Sequence, residues 1–433
     1  MEIQQLQDIY GRHPMIRRLG KALARADVRS IRLSGLQGSA APLFFASFAL
    51  RCPQQLGAPY LFVMNDEEEA AYFYQDMVQL LGDEQVLYFP SSFKRAVKYG
   101  QRDSANVVLR TEVLSRLSGG ALPLFVITSP QALSEQVIDS SSLQGHTLEL
   151  SVGDARDIMD VQQSLLDMGF LRVDYVYEPG QFALRGSLLD VYSYSSELPY
   201  RIDFFGDEVD SIRTFDVQDQ LSVKKLQHVS IIPDSSAQAD VSVQSFLSFL
   251  PEDTLFIARD TIYICDCVQK IWTDGFSAQA LLVQESEGQY EEIPKGTPQD
   301  SPAQGQVLLD RDTLLTPPHL FSSQLQQFRM LMLTSSDVQK ADVVLEAHTL
   351  PQPIFHKNFD LLFQALQDYH DREYDIYVLS ENASQTDRLD AIFRDRQLPF
   401  RFIPVDHSLH SGFVDDDLHL CCFTDHQIFD RFH

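Results

Sequence analysis

Ser34-Gly35-Leu36-Gln37-Gly38-Ser39-Ala40-Ala41-Pro42 is the stretch on which the reading of this chain turns. It follows Ile31-Arg32-Leu33, which has the composition of a short strand, and it precedes the apolar run 43–50, which suits a buried helix. Strand, glycine-bearing loop and helix in that order are the context of a phosphate-binding loop. A working loop reads Gly-x-x-x-x-Gly-Lys-Ser/Thr. Its glycines let backbone N–H groups close around phosphates, its lysine reaches the terminal phosphates and its hydroxyl holds Mg²⁺. Here Gly35 fills the first position and Gly38 lies within the loop, but Ala40 replaces the second glycine, Ala41 the lysine and Pro42 the hydroxyl residue. Proline is tolerated in the first turn of a helix, where its missing N–H is no loss. The strand–loop–helix is therefore expected to persist with its phosphate chemistry removed. An ordinary glycine-rich turn that never bound nucleotide is the other reading of the same residues.

A second motif of nucleotide hydrolysis would be an acidic pair at a strand end. The candidate is Phe256-Ile257-Ala258-Arg259-Asp260, where Arg259 stands in place of an acid. Loop and metal site are thus both degraded. No Gly-x-Ser-x-Gly elbow and no His-Glu-x-x-His is present. No catalytic residues, no cofactor and no metal are therefore expected in this chain.

Outward from the loop, segment 1–145 alternates helix and strand: helix 16–29, strand 31–33, helix 43–50, strand 60–64, helix 67–81, strand 86–89, helix 107–117 and strand 124–128. Strands alternating with helices imply a parallel sheet covered on both faces. Ser140-Ser141-Ser142 and Gly145 read as a break. Segment 146–234 opens with a helix whose Ile158, Val161, Leu165 and Met168 share one face, with Gly169 placed to cap it. A run of short strands follows from 173 to 215, with Gly206-Asp207 as a two-residue hairpin turn. One helix and then strands describes a small α+β domain. In segment 235–350, stretches 254–258 and 330–333 are strand-like, and 287–305 reads as a loop rich in Pro, Gly, Glu and Gln. Segment 351–433 opens after Leu350-Pro351-Gln352-Pro353 and reads as helix 359–369, strand 376–379, helix 386–393 and strand 418–423. The fold class expected is α/β: a parallel-sheet domain with a degenerate loop, made from 1–145 and 235–350, interrupted by the small domain and followed by a last α/β domain.

Composition sets limits. The 433 residues are 44% hydrophobic and 22% charged, as in a globular protein with real cores. No apolar run reaches the roughly 18–20 residues of a membrane span. The start Met1-Glu2-Ile3-Gln4-Gln5 lacks the basic and apolar regions of a signal peptide, so a cytoplasmic location is expected. The five cysteines have neither zinc-ribbon spacing nor the look of a disulfide framework. The formal charge of −27 opposes nucleic-acid binding along the whole surface, which draws on Lys and Arg, and favours protein partners.

The most specific likeness lies in the second segment. Gly169-Phe170-Leu171-Arg172-Val173-Asp174 leads to Glu178-Pro179-Gly180-Gln181-Phe182-Ala183-Leu184-Arg185-Gly186, then Leu189-Asp190-Val191-Tyr192, then Leu198-Pro199-Tyr200-Arg201-Ile202-Asp203-Phe204-Phe205-Gly206-Asp207-Glu208 and Asp210-Ser211-Ile212-Arg213-Thr214-Phe215-Asp216. This run resembles the second domain of bacterial transcription-repair coupling factors (Mfd), itself similar to domain 2 of the repair helicase UvrB. The degenerate loop is similar to that family's first domain, and Ser411-Gly412-Phe413-Val414 with Phe423-Thr424-Asp425-His426-Gln427-Ile428-Phe429 resembles the end of its third. The resemblance implies a chain cut at a domain boundary, ahead of the polymerase-binding domain and the ATP-driven DNA translocase. It implies recruitment of UvrA through the second domain, with the same face covered by the C-terminal domain of the full-length protein at rest. RNA polymerase and DNA would be engaged only through the missing C-terminal part, and no membrane is involved. Arg172 and Arg185 fall where UvrB-type domains place arginines toward UvrA, with Tyr177 and Phe182 as candidate aromatic anchors; Ala183 stands where the UvrB pattern has a further arginine.

Two rival readings remain at this level: a UvrB-like DNA-binding damage-recognition fragment, and an atypical NTP-binding domain. The basic run Lys94, Arg95, Lys98 and Arg102, interleaved with Phe93 and Tyr99, reads as a solvated loop and helix start, too short for a DNA-clamping hairpin. The acidic group Asp203, Asp207, Glu208 and Asp210 reads as a solvated hairpin. His407, His410, His419 and His426, with Asp406, Cys421 and Cys422, lack the spacing of a zinc motif.

Overall fold

The computed structural model describes residues 1–92, 104–120, 122–233, 242–274, 314–336, 340–356 and 358–429. The basic run at 94–102, the loop at 287–305 and the junction of segments 146–234 and 235–350 lie outside the described residues.

The first α/β unit is built on seven parallel strands in the order Val343–Glu346, Ser30–Ser34, Arg329–Met332, Leu255–Ala258, Tyr60–Val63, Phe125–Thr128, Val86–Phe89. Every position of Tyr60–Val63, Phe125–Thr128 and Leu255–Ala258 is buried. Unbroken apolar runs of this kind are what a parallel sheet covered on both faces requires. Chain from either side of the inserted segment interleaves: Ser30–Ser34 pairs with Arg329–Met332 on one side and Val343–Glu346 on the other. Helix Glu67–Leu81 begins where the Asp66 carboxylate accepts the Glu69 N–H at 2.8 Å, and three glutamates in its first turn suit the positive end of the helix dipole.

The insert leaves and returns along two ladders. Gln136–Ile138 pairs antiparallel with Val243–Ser245, and Leu148–Ser151 with His228–Ile231. Between them, helix Ile158–Asp167 is capped by Asp157 and buries Val161 and Leu165. Gly169 then takes φ +85, the left-handed conformation that ends a helix. The sheet that follows has the order Ser222–Leu226, Glu208–Phe215, Tyr200–Phe205, Leu188–Val191, Gln181–Arg185, Leu171–Arg172. Phe205 sits opposite Glu208, so the hairpin turn is Gly206-Asp207, with Gly206 at φ +64.

The last unit is a five-stranded sheet ordered Thr349–Pro351, Phe413–Asp415, Leu420–Thr424, Asp375–Leu379, Ile403–Val405. Its strands alternate between two cores, as a period of two dictates. Ile376, Val378, Val414, Cys421 and Phe423 face helices Phe359–Asp371 and Ala383–Asp395. Tyr377, Leu379, Phe413, Leu420 and Cys422 point the other way, into the core that also holds Ile3, Leu6, Tyr10 and Phe44 of the first unit.

Several sequence expectations need correction. The first long helix spans Pro14–Leu23, begun by the His13 side chain accepting the Met15 N–H, rather than 16–29. The 140–145 break is a short helix, Ser140–Gly145, because Asp139 accepts the Ser142 N–H and turns the serine run into a capped first turn. The chain joins the last sheet at Thr349, slightly before the Leu350-Pro351 signal, and its strand Leu420–Thr424 starts two residues later than read. Helices Thr261–Asp274 and Pro318–Leu325 were not legible.

Candidate functional site

Two places could carry function: the vestigial loop and the outer face of the insert. The loop opens on a cleft of about 690 Å³, bordered by Gly35, Gly38, Ala41, Pro42 and the start of helix Glu67–Leu81. Gly35 adopts φ +84 and Gly38 φ +52. Ala41 and Pro42 stand at the start of helix Ala40–Arg51, so neither offers a phosphate a charged or hydroxyl side chain. Asp66, Glu68, Glu69 and Asp260 line the cleft, and Arg259 is its lone Arg or Lys among the described residues. Arg259 is held by Glu69 at 2.7 Å. Asp260 caps helix Thr261–Asp274, accepting the Ile262 N–H at 2.8 Å. A polyanion entering here meets carboxylates, and the acid next to Arg259 is already engaged.

Two of the loop's own N–H donors are also taken by distant chain. The Gln37 N–H donates to the Thr349 hydroxyl at 2.8 Å, and that hydroxyl donates to the Gly35 carbonyl at 2.7 Å. The Ser39 N–H donates to the Ser411 carbonyl at 3.0 Å. The Ser39 hydroxyl donates to Asp76 at 2.5 Å and accepts the Ser411 N–H at 2.8 Å, while Asp76 also accepts the His410 N–H at 2.7 Å. Burial pushes the Asp76 carboxyl up to about 7, against the pull of these two donors.

On the insert, Leu171–Arg172 is an edge strand, paired on one side only, with Gln181–Arg185. Arg172 is exposed, with no ion pair or side-chain hydrogen bond among the described residues. Tyr177 is 62% exposed and Leu171 also 62%. Phe182 does not belong to this surface: it is fully buried in the insert's core, which corrects its assignment as an anchor. Its strand pairs on both sides and its ring faces the helix side of the sheet. Ala183 is buried too, so this chain presents no side chain at the position where the UvrB pattern has arginine.

Arg185 is half-buried and engaged internally. It reaches Asp190 and the Asp174 carbonyl, and its guanidinium lies 5.0 Å from the Tyr175 ring centre. Asp190 is buried and also takes Arg201 through two bonds of 2.7 and 2.9 Å. Arg185 therefore props Tyr175 more than it offers itself. Tyr175, 53% exposed, was missed in the sequence. The structure buries Val176 between two exposed tyrosines in a stretch that is not strand, so period-two patterning gave no signal for Tyr175.

The remaining candidates do not assemble. Asp203 pairs with Arg213 at 2.9 Å on its hairpin. His410 stacks on Tyr72, His419 on Tyr374, and His426 bonds the His410 carbonyl, while Cys421 and Cys422 are buried in opposite cores. A cluster not read from sequence is His13 with Asp415 and Asp417, whose Nε2 lies 3.5 and 3.3 Å from the two carboxylates. Those separations resemble the edges of a tetrahedral cation site with bonds of about 2.0–2.1 Å. The His13 Nδ1, however, accepts the Met15 N–H at 3.1 Å. The neutral ring must then carry its hydrogen on Nε2, so it faces the carboxylates as a donor and has no lone pair for a metal.

Residues 148–236 match the UvrB interaction domain family. The chain is similar to the transcription-repair-coupling factor of Escherichia coli, 32% identical over 205 residues that cover 47% of this chain and 17% of that protein. It is 29% identical to the Bacillus subtilis factor over 202 residues, covering 46% and 17%. The Staphylococcus aureus factor aligns over 92% of this chain and 38% of its own length at 22% identity. The chain thus spans less than two-fifths of these relatives. The matches support an N-terminal, UvrB-like module of the coupling-factor kind. Among the described residues no helix is long and apolar enough to cross a membrane.

Proposed function

We propose that this chain is a non-catalytic recruitment module that binds UvrA and so links stalled RNA polymerase to nucleotide excision repair in the cytoplasm. The observation that carries the reading is the exposure of Arg172, Tyr175 and Tyr177 in one stretch of the segment that matches the UvrB interaction domain. Arg172 offers planar, bidentate pairing with carboxylates, and the exposed Leu171, Tyr175 and Tyr177 of the same stretch add apolar and aromatic contact area. The domain partition we propose is 1–145 with 235–350 as one α/β domain, 146–234 as the UvrA-binding insert, and 351–433 as the last domain, whose sheet takes its edge strand Thr349–Pro351 across that last boundary. Contacts with RNA polymerase and DNA belong to other parts of a full coupling factor, whose C-terminal domain covers the insert's face at rest. ATP turnover is absent from this part because the groups that would hold phosphate and Mg²⁺ are replaced at Ala41, Pro42 and Arg259.

Calorimetry with purified UvrA tests the reading. Parent binding that weakens by about 2 kcal/mol in a folded Arg172→Ala variant is the expected result. A well-folded parent that does not bind UvrA refutes it. Titration with Mg-ATP should give no heat; saturable binding would favour the atypical NTP-binding alternative.

A further inference from the structure

The loop has lost its lysine and its metal-binding hydroxyl, yet it keeps Gly35 and Gly38 in left-handed conformations. Phosphate loops need such glycines so that backbone can approach an anion closely. Here something else approaches. A Cβ at Gly35 would lie 1.7 Å from the Ala347 carbonyl oxygen, and one at Gly38 would lie 3.1 Å from the Gly412 carbonyl oxygen. Both neighbours belong to the chain entering or crossing the last unit.

We propose that the last unit is the resident ligand of this loop: Thr349 and Ser411 occupy the places phosphate would take, and their seat locks the first and last units into one body. The oxygens are supplied where phosphate oxygens would be needed, at the N–H groups of Gln37 and Ser39. The substitute is chemically better suited to an uncharged loop than phosphate. A phosphate dianion only accepts, whereas the Thr349 hydroxyl accepts from Gln37 and donates to the Gly35 carbonyl, closing the turn on itself. Ser39 plays the same double part between Asp76 and Ser411. Around this polar seat the two units share one apolar core, with Phe413 edge-on to Tyr10 at 5.8 Å, and the Met1 amino group donates to the Pro404 carbonyl at 2.7 Å. A phosphate in the cleft would thus have to displace these two oxygens, besides meeting no cation of the loop's own. The inference stands independently of UvrA binding.

Hydrogen exchange on the whole chain tests it. Thr349→Val leaves the Gln37 N–H without its acceptor, so that amide should exchange about fivefold faster, the factor that one net hydrogen bond corresponds to. Thr349→Ser keeps the hydroxyl and should match the parent. Equal exchange in all three chains overturns the proposal. Ser39→Ala approaches the seat from the other side, should speed exchange at the Ser411 amide, and serves if Thr349→Val does not fold. A loop restored by Ala40→Gly, Ala41→Lys and Pro42→Thr, titrated with Mg-ATP, gives the direct competition. Absence of binding, or binding that deprotects Ser411, agrees with the seat; tight binding that leaves Ser411 protected overturns it.

Discussion

Replacing Asp190 with alanine should destabilise the insert by about 3 kcal/mol, near the bottom of the range for breaking a buried ion pair. The carboxylate is 1% exposed and takes three charge-assisted bonds, two from Arg201 and one from Arg185. Removing one partner of such a pair generally costs about 3–5 kcal/mol, because the remaining charge stays desolvated. Two features hold the loss at the low end. Arg201, 12% exposed, keeps the Gln220 carbonyl and side-chain oxygens at 3.1 and 2.9 Å and still lies 4.0 Å over Phe215. Arg185, 34% exposed, can turn to water. Urea unfolding of parent, Asp190→Ala and Asp190→Asn, followed by circular dichroism, reads the difference, with the Asn variant expected between the other two. Combining Asp190→Leu with Arg201→Met should recover much of the loss, since apolar replacement of a whole buried pair is often neutral. A loss under about 1 kcal/mol in Asp190→Ala would refute the reasoning, because it would mean the arginines are not desolvated as their burial implies.

Asp76→Asn should flatten part of the pH dependence of stability. The folded carboxyl, at about 7, lies above its ordinary 3.8. The fold therefore holds that proton more tightly than the unfolded chain, and its contribution, full below about pH 4, is lost as pH rises to about 7. Glu112, also raised to about 7 by burial, has the same sign and should leave a residual slope in thermal melts of the variant. Phe182→Ala should cost about 3–5 kcal/mol as a core truncation, whereas Tyr177→Ala should stay within about 0.5 kcal/mol of parent stability while weakening UvrA binding; the reverse pattern would invert the assignment of the two rings.

How much was legible follows from where each signal resides. Helix Glu67–Leu81 was readable to its ends because an Asp cap, three acids and a terminal glycine all sit in local sequence. The strand–loop–helix at 30–51 was readable because apolar runs flank glycines. What occupies the loop was not readable, since Thr349 and Ser411 are far away in sequence and carry no motif. Phe182 illustrates a different limit. Its neighbours suggested a surface aromatic, but the face of a strand is set by register, and in Gln181–Arg185 both Phe182 and Ala183 turn out buried. Ser140–Gly145 shows the third: a serine run is a break or a capped turn depending on whether Asp139 reaches the Ser142 N–H, a choice made by geometry.

The division of cores yields a contrast between two excised pieces. The insert's buried cluster runs from Leu150 to Ile231 and, among the described residues, draws on none of the first unit. Its ends are brought together by the ladder of Leu148–Ser151 with His228–Ile231, so cutting there removes few apolar contacts. A piece of residues 146–233 should unfold cooperatively on its own and keep the parent's affinity for UvrA, measured by calorimetry. The last unit is different. Tyr377, Leu379, Val405, Leu409, Phe413, Leu420 and Cys422 all pack into the first unit's core, so residues 349–429 alone would expose one entire face of a sheet. An exposed apolar face of that extent favours association. The excised last unit should therefore aggregate or stay partly unfolded under conditions where the insert is monomeric in sedimentation. A monomeric, cooperatively folding last unit would show that its packing against the first unit is dispensable, and would remove the main support for treating the two as one body.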